Sequence, residues 1–279
     1  MHTKLITLFT RTPLHVGAGN SVGVVDSPIM RERHTQTPII PGSSLKGVLA
    51  DLWNDCKDEN KKRNGELKRL FGSDDDKSAC SGSLLIGEAR VLAFPLRSAK
   101  GGFAWITCPH ALKKFACDTG KDLGEIPEPK NEDCFAAPSV VFAAQNAVVL
   151  EEYKFTQKGS VPAGVTDEFK KLASDSVWEP EERLVIVSDE IFSYFVANAC
   201  EVVTRIRVND ETGTVDSGAL FNQEQVPSET LFYAMFGTLK NNQAEDLEAL
   251  EEKIKANGNI LQIGGDATIG LGFCSAKFA

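Results

Sequence analysis

Four short stretches of this chain carry residue types whose spacing can do chemistry. Asp26 lies in the loop Val24-Val25-Asp26-Ser27-Pro28. A carboxylate there binds a divalent cation or acts as a general base. Its competing role is that of a turn-forming Asp ahead of Ser-Pro. His15, in Thr12-Pro13-Leu14-His15-Val16-Gly17, has the side chain of a general acid. It equally suits a hydrogen-bonding prop for the neighbouring glycines or a platform for a base, and these uses weigh more. In Pro41-Gly42-Ser43-Ser44-Leu45-Lys46-Gly47, the Pro-Gly pair stops the preceding segment and Ser43 or Ser44 is placed to cap a helix. Lys46 then falls in the first turn, where the helix dipole disfavours a cation unless an anion is also bound. Free N–H groups, two hydroxyls and a lysine make a phosphate cradle; the plainer alternative is a solvated lysine on an amphipathic helix. The fourth stretch, Ile263-Gly264-Gly265-Asp266-Ala267-Thr268-Ile269-Gly270-Leu271-Gly272, lets another backbone or a phosphate come close. Its spacing is not the dinucleotide fingerprint, and Gly-Ser-Ser-Leu-Lys-Gly fails the P-loop spacing.

These stretches need elements to hold them. Lys4 to Phe9 reads as a strand, followed by a Gly- and Pro-rich excursion over residues 10–40 whose length marks it as functional. Leu45, Val48, Leu49 and Leu52 recur at helical spacing, and this helix ends near Trp53 to Cys56. Residues 57–82 are a charged, Gly/Ser-rich insertion with a helical piece at Leu67 to Phe71. Leu84 to Leu96 reads as one strand, and residues 108–116 as a short helix. Val140 to Val149 and Glu151 to Phe155 read as strands, and 157–182 as an irregular insertion. Ser188 caps a helix whose first turn carries Asp189 and Glu190. Glu201 to Val208 and Leu231 to Phe236 are strands around a polar excursion. Ala244 to Ala256 is an acidic helix, and Ile260 to Ile263 and Gly272 to Phe278 are strands around the glycine turn. The order strand-helix-strand, strand-helix-strand is that of a ferredoxin-like or RRM-like α+β fold.

Composition narrows the classes. A 279-residue chain with 42% hydrophobic and 25% charged residues builds a full core, and we expect one elaborated domain over residues 1–279. No apolar run reaches membrane-spanning length, and Met1-His2-Thr3-Lys4 has no signal-peptide form, so the expected setting is cytoplasmic. The net charge of −9 excludes a surface wrapped in basic residues. Residues 1–50 nevertheless carry five cations against Asp26 and Glu32, a net +3, which leaves −12 for the remainder of the −9 total. Anion contacts therefore belong to the N-terminal segment. The seven cysteines form no CxxC pair and read as free thiols; Cys108-Pro109-His110 with Cys117 lacks the paired spacings of a structural zinc site.

Taken in order, Thr12 to Gly19, Val24 to Pro28, Pro38 to Gly47 and Ile263 to Phe273 resemble the RAMP superfamily of CRISPR RNA-binding proteins. More narrowly, they are similar to the repeated backbone subunit of type III-B (Cmr) effector complexes, chiefly over residues 3–53, 200–236 and 260–278. The resemblance implies an RRM-like palm with insertions around 57–82 and 97–182, and a β-hairpin thumb around 204–230 that wedges into a guide–target duplex. It implies RNA contacts from Ser43, Ser44, Lys46, Gly264, Gly265, Gly270 and Gly272. Within the thumb, Leu220 and Phe221 would supply the wedge and Arg205 and Arg207 would meet phosphates. It makes Asp26 the residue supporting target cleavage, by holding a divalent metal ion (Mg²⁺ or Mn²⁺ drawn from solution) or by helping the 2′-hydroxyl directly. Glu224 would assist it. The implied partners are guide crRNA, target RNA, other Cmr subunits and further copies of the chain in a helical filament. The target is cut at regular intervals and the guide left intact. A guide-processing endoribonuclease of the same superfamily, a non-catalytic RNA-binding subunit and an unrelated α+β binding module stand as alternatives.

Overall fold

The computed structural model describes residues 2–19, 23–57, 62–63, 65–73, 79–208, 213–238 and 244–279, with backbone alone at 207–208 and 216–219. The phosphate contact expected of Arg207, and much of the 57–82 insertion, fall outside the described residues.

Strand β1 (Thr3–Thr10) is buried from Leu5 onward. Its alternation sorts side chains between two cores: Ile6 and Leu8 enter one, Leu5 and Phe9 the other. The excursion that follows returns through β2 (Ile39–Ile40) into α1 (Gly42–Asp51), which buries Leu45 and Leu49. The expected serine cap is corrected here. Pro41 is the N-cap, its carbonyl accepting from Leu45 N at 3.1 Å, and neither Ser43 nor Ser44 caps the helix. The cap stands two residues before Ser43, and Gly42 in the first turn lies against β3 (Leu84–Ile86), where a Cβ would stand 2.5 Å from the Ile86 carbonyl. Helix α2 (Gly65–Phe71) falls where the apolar spacing placed it. The expected single strand over Leu84 to Leu96 is instead β3 and β4 (Ala89–Ser98). They part at Gly87, where a Cβ would meet the Met235 carbonyl at 2.4 Å.

Strand β5 (Gly102–Thr107) leads to α3 (Pro109–Thr119), capped by the Cys108 thiol, which accepts from Ala111 N at 3.5 Å. Burial pushes that thiol's pKa up, and holds those of Cys134 and Cys274 up at about 12. Strands β6 (Asp133–Ala136), β7 (Ala147–Leu150) and β8 (Tyr153–Gly159) follow. The expected irregular stretch after them holds α4 (Ala163–Lys170) and α5 (Pro180–Arg183), with Val165, Phe169 and Leu172 fully buried at helical spacing. Strand β9 (Leu184–Ile186) precedes α6 (Asp189–Asn198), whose first turn is acidic and whose cap is Ser188 Oγ, accepting from Ile191 N at 3.3 Å and donating to Asn131 Oδ1 at 2.7 Å. Ser188→Ala should lower stability by about 1 kcal/mol. For a chain of this size that is a Tm shift of roughly 2–4 °C in a thermal melt.

Strands β10 (Glu201–Val208) and β11 (Val215–Gln225) form a two-stranded sheet of their own. Strand β12 (Leu231–Thr238), α7 (Ala244–Ala256), β13 (Ile260–Gln262) and β14 (Phe273–Phe278) complete the chain. The large sheet runs β13-β14-β1-β12-β4-β5-β9-β6-β8-β7, with β3 also on β12 and β2 on β4. Strand β1 is antiparallel to both β12 and β14, while β5–β9 and β6–β8 are parallel. One core draws on α1, α2, α6 and α7, the other on α3, α4, Trp105 and Trp178. The fold is therefore mixed α and β around a sheet-rich centre. Among the described residues no helix is long and apolar enough to cross a membrane.

Candidate functional site

The segment after β1 is gripped from three directions. Leu14 exchanges two 2.8 Å hydrogen bonds with Val226 beyond β11. The Pro13 and His15 carbonyls accept from Gly272 N at 2.9 Å and Gly265 N at 3.0 Å. On the third side, the Val16 and Pro28 carbonyls take part in 2.8 Å bonds with Met30 N and Ala18 N. His15 lies at the centre, 7% exposed. Its Nδ1–H donates to the Glu224 carbonyl at 2.7 Å, and its Nε2 faces Ser27 Oγ at 3.3 Å. Gly17 has to be glycine for this packing, since a Cβ would stand 2.9 Å from His15 Nε2.

The loop bearing Asp26 meets β11 in a single parallel bridge, Ser27 opposite Gln223. Ser27 N donates to Asn222 O and Glu224 N to Ser27 O, both at 3.0 Å. Asp26 remains exposed, and its Oδ2 accepts from Asn222 N at 2.8 Å. One carboxylate is thus presented to solvent at a fixed place on the root of the β10–β11 hairpin. Glu224, expected to assist Asp26, has both carboxylate oxygens bonded within the chain. Its Oε2 accepts from Ile29 N at 3.0 Å and its Oε1 from the Arg31 guanidinium at 2.6 Å, so this buried carboxylate fastens the Asp26 loop to β11.

The glycine loop joins β13 to β14 and touches the same hub. Gly264, Gly270 and Gly272 all have positive φ, at 80°, 86° and 78°. A Cβ on Gly264 would stand 2.2 Å from the His15 carbonyl, and one on Gly272 2.0 Å from the Ile263 carbonyl. Asp266, itself left-handed at φ 64°, accepts from Gln223 Nε2 at 2.7 Å and lies 3.4 Å from the Arg205 guanidinium. Arg205 is therefore paired within the chain.

The family model of the RAMP superfamily matches residues 7–275. The chain belongs to this superfamily. Over 286 aligned residues it is 36% identical to the CRISPR system Cmr endoribonuclease Cmr4 of Pyrococcus furiosus, covering 98% of this chain and 94% of that protein. A crystal structure of oligomeric Cmr4 from Pyrococcus furiosus superposes with a TM-score of 0.77 at 29% identity, over 99% of this chain and 98% of that one. A chain in the cryo-EM structure of the type III-B Cmr-beta complex bound to cognate target RNA shares the fold, with a TM-score of 0.76 at 19% identity over 100% and 97% of the two chains.

In this RAMP chain the remaining expected site residues divide by location. Leu220 and Phe221 lie on the hairpin, 61% and 41% exposed, with Val202, Ile206 and Val215 also open to solvent. A free two-stranded ribbon with apolar side chains outward is marginal alone and demands a partner. Ser43, Ser44 and Lys46 stand at the start of α1, joined to the hub through β2, where Ile39 N donates to Met30 O at 3.1 Å. Among the described residues Lys46 has no acidic partner, unlike Arg205. The hub itself gathers His15, Asp26, Glu224, Arg205, Gly264, Gly265 and Gly272. Sequence reasoning passed over Arg31, Asn222, Gln223 and Asp266. Only Asp266 carried a local signal, an Asp after paired glycines in a turn, where Asp tolerates the left-handed region.

Proposed function

We propose that this chain is a Cmr-type backbone subunit, which holds crRNA and cleaves complementary target RNA in a cytoplasmic antiviral complex. The observation that carries the reading is Asp26, an exposed carboxylate pinned by the Asn222 amide to the root of the hairpin. The strand order β14-β1-β12-β4, with α1 and α7 as crossovers, supports a ferredoxin-like, RRM-like palm within one elaborated domain, and β10–β11 supports the thumb. Self-association and contacts with other Cmr subunits follow from the same kinship.

In this reading Lys46 and the α1 N-terminus meet guide phosphates, and base pairing supplies sequence recognition. Leu220 and Phe221 part the duplex at the hairpin. Asp26 assists attack of a target 2′-hydroxyl on the adjacent phosphorus. The 2′-oxygen gives its proton to Asp26 or to solvent water and bonds to phosphorus. The phosphorus–5′-oxygen bond breaks, the 5′-oxygen takes a proton from water, and a 2′,3′-cyclic phosphate remains. Asp26 serves as proton acceptor or as the protein's share of a divalent ion's shell. A single exposed carboxylate suits Mg²⁺ or Mn²⁺, which bind through one or two carboxylates with water and substrate phosphates. When bound there, such an ion would offset charge developing on the phosphate. His15, buried and bonded through both ring nitrogens, organises the loops.

The test is to purify the assembled complex and add labelled RNA complementary to its guide, with and without Mg²⁺. A ladder of regularly spaced cuts with intact guide is expected. Binding without cuts would make this a structural subunit, and a complex carrying no guide RNA would sink the reading.

A further inference from the structure

We propose that Arg31 is a positioning residue for Asp26, an inference that rests on the cleavage reading above. Arg31 stands at the end of the Asp26 loop, with its side chain 13% exposed. Its guanidinium serves three separate pieces of the fold. One nitrogen donates to the Gln36 carbonyl at 2.6 Å, where the loop turns back, and to the Val196 carbonyl in the last turns of α6 at 2.9 Å. The other donates to Glu224 Oε1 on β11 at 2.6 Å. Glu224's second oxygen holds Ile29 N at 3.0 Å, so loop, helix and hairpin root are closed into one unit around a single ion pair.

The position of Asp26 depends on that unit. Asn222, whose amide holds the Asp26 carboxylate, lies two residues before Glu224 on the same strand. The Ser27 bonds to Asn222 and Glu224 tie the loop to β11 next to Asp26, and the Arg31–Glu224 contact fastens its far end. If that contact loosens, the loop is held to β11 at one point only and Asp26 is free to shift against the Asn222 amide. Reaction with a 2′-hydroxyl requires hydrogen-bond reach, and a misplacement of about 1 Å costs on the order of 100-fold in rate. The role calls for arginine specifically. A planar fork reaches three acceptors in fixed directions, whereas lysine offers one compact ammonium and leaves buried carbonyls or the carboxylate unmatched. With three hydrogen bonds made inside the protein and its side chain only 13% exposed, Arg31 acts through Asp26.

The experiment compares assembled complexes carrying wild-type, Arg31→Lys, Glu224→Gln and Asp26→Asn chains. Guide content, target affinity and the single-turnover cleavage rate of pre-bound target are measured for each. Arg31→Lys should keep target affinity within about two-fold while the cleavage rate falls roughly 10- to 100-fold, a loss in kcat with KM unchanged. Glu224→Gln, which leaves Arg31 its two carbonyl partners, should fall in the same direction by less. A cleavage rate for Arg31→Lys within about two-fold of wild type, or a fall matched by an equal loss of target affinity, would overturn the proposal. Failure of both clamp variants to assemble would place the clamp in folding and overturn it as well. A wild-type complex that binds but does not cut would instead remove the cleavage reading, an outcome visible before any variant is compared.

Discussion

An Asp26→Asn chain is expected to assemble, carry guide and bind complementary target as the wild type does, and to leave the target uncut. The substitution is nearly isosteric, and the Asn side-chain oxygen still accepts from the Asn222 amide that Asp26 Oδ2 meets at 2.8 Å. The loop therefore keeps its place on β11. What is lost is the negative charge and the basicity, which a 2′-hydroxyl or a divalent cation requires of this residue. Removing a positioned general base costs about 100-fold or more in rate, roughly 2.7 kcal/mol or more in transition-state stabilisation. A time course on denaturing gels, with guide content and target affinity measured on the same preparation, checks both halves. Residual cutting within about ten-fold of wild type would move the chemistry away from Asp26.

The second large effect is expected in the glycine loop, where three glycines with positive φ differ in what surrounds them. Gly272→Ala drives a methyl to 2.0 Å from the Ile263 carbonyl and Gly264→Ala to 2.2 Å from the His15 carbonyl, each at a φ that L-residues rarely adopt. Backbone strain of this kind costs about 1–3 kcal/mol before the overlap is relieved. Relief has to move the segment that carries His15, or the end of β13. Both variants should lose guide RNA and melt at lower temperature. Gly270→Ala faces open space and bears only the conformational cost, about 1 kcal/mol, so it should keep its guide. Equal melting temperatures for all three would mean that the loop's glycines serve backbone freedom alone.

How far the sequence could be read depended on whether a signal was local. The acidic helix α7 begins and ends at the expected residues, because its apolar positions recur every three to four residues. The Ser188 cap with Asp189 and Glu190 behind it is a nearest-neighbour pattern and stands as expected. The break at Gly87 was invisible because the Met235 carbonyl responsible lies far along the chain. Helix α4 was missed because Gly, Pro and Lys around it conceal the spacing of Val165 and Phe169. The candidate site divides the same way. His15, Asp26 and the glycines are unusual residues in loops and draw attention singly. Arg31 and Asp266 act through partners distant in the sequence, among them Glu224 at 193 residues' separation and Gln223 at 43, which no local pattern announces. The sequence marks Glu224 as an assistant to Asp26; what no local pattern announces is that its carboxylate also fastens the loop, through Arg31 and Ile29.

If each copy carries its own Asp26 site, assemblies reconstituted from wild-type and Asp26→Asn chains in known proportion should keep every band of the target ladder at its wild-type position. Each band's single-turnover amplitude should fall in direct proportion to the variant fraction. That measurement tests the central claim most directly, because it reports catalysis copy by copy within an otherwise intact complex. Band amplitudes indifferent to the variant fraction would contradict the account, since cleavage would then come from another subunit.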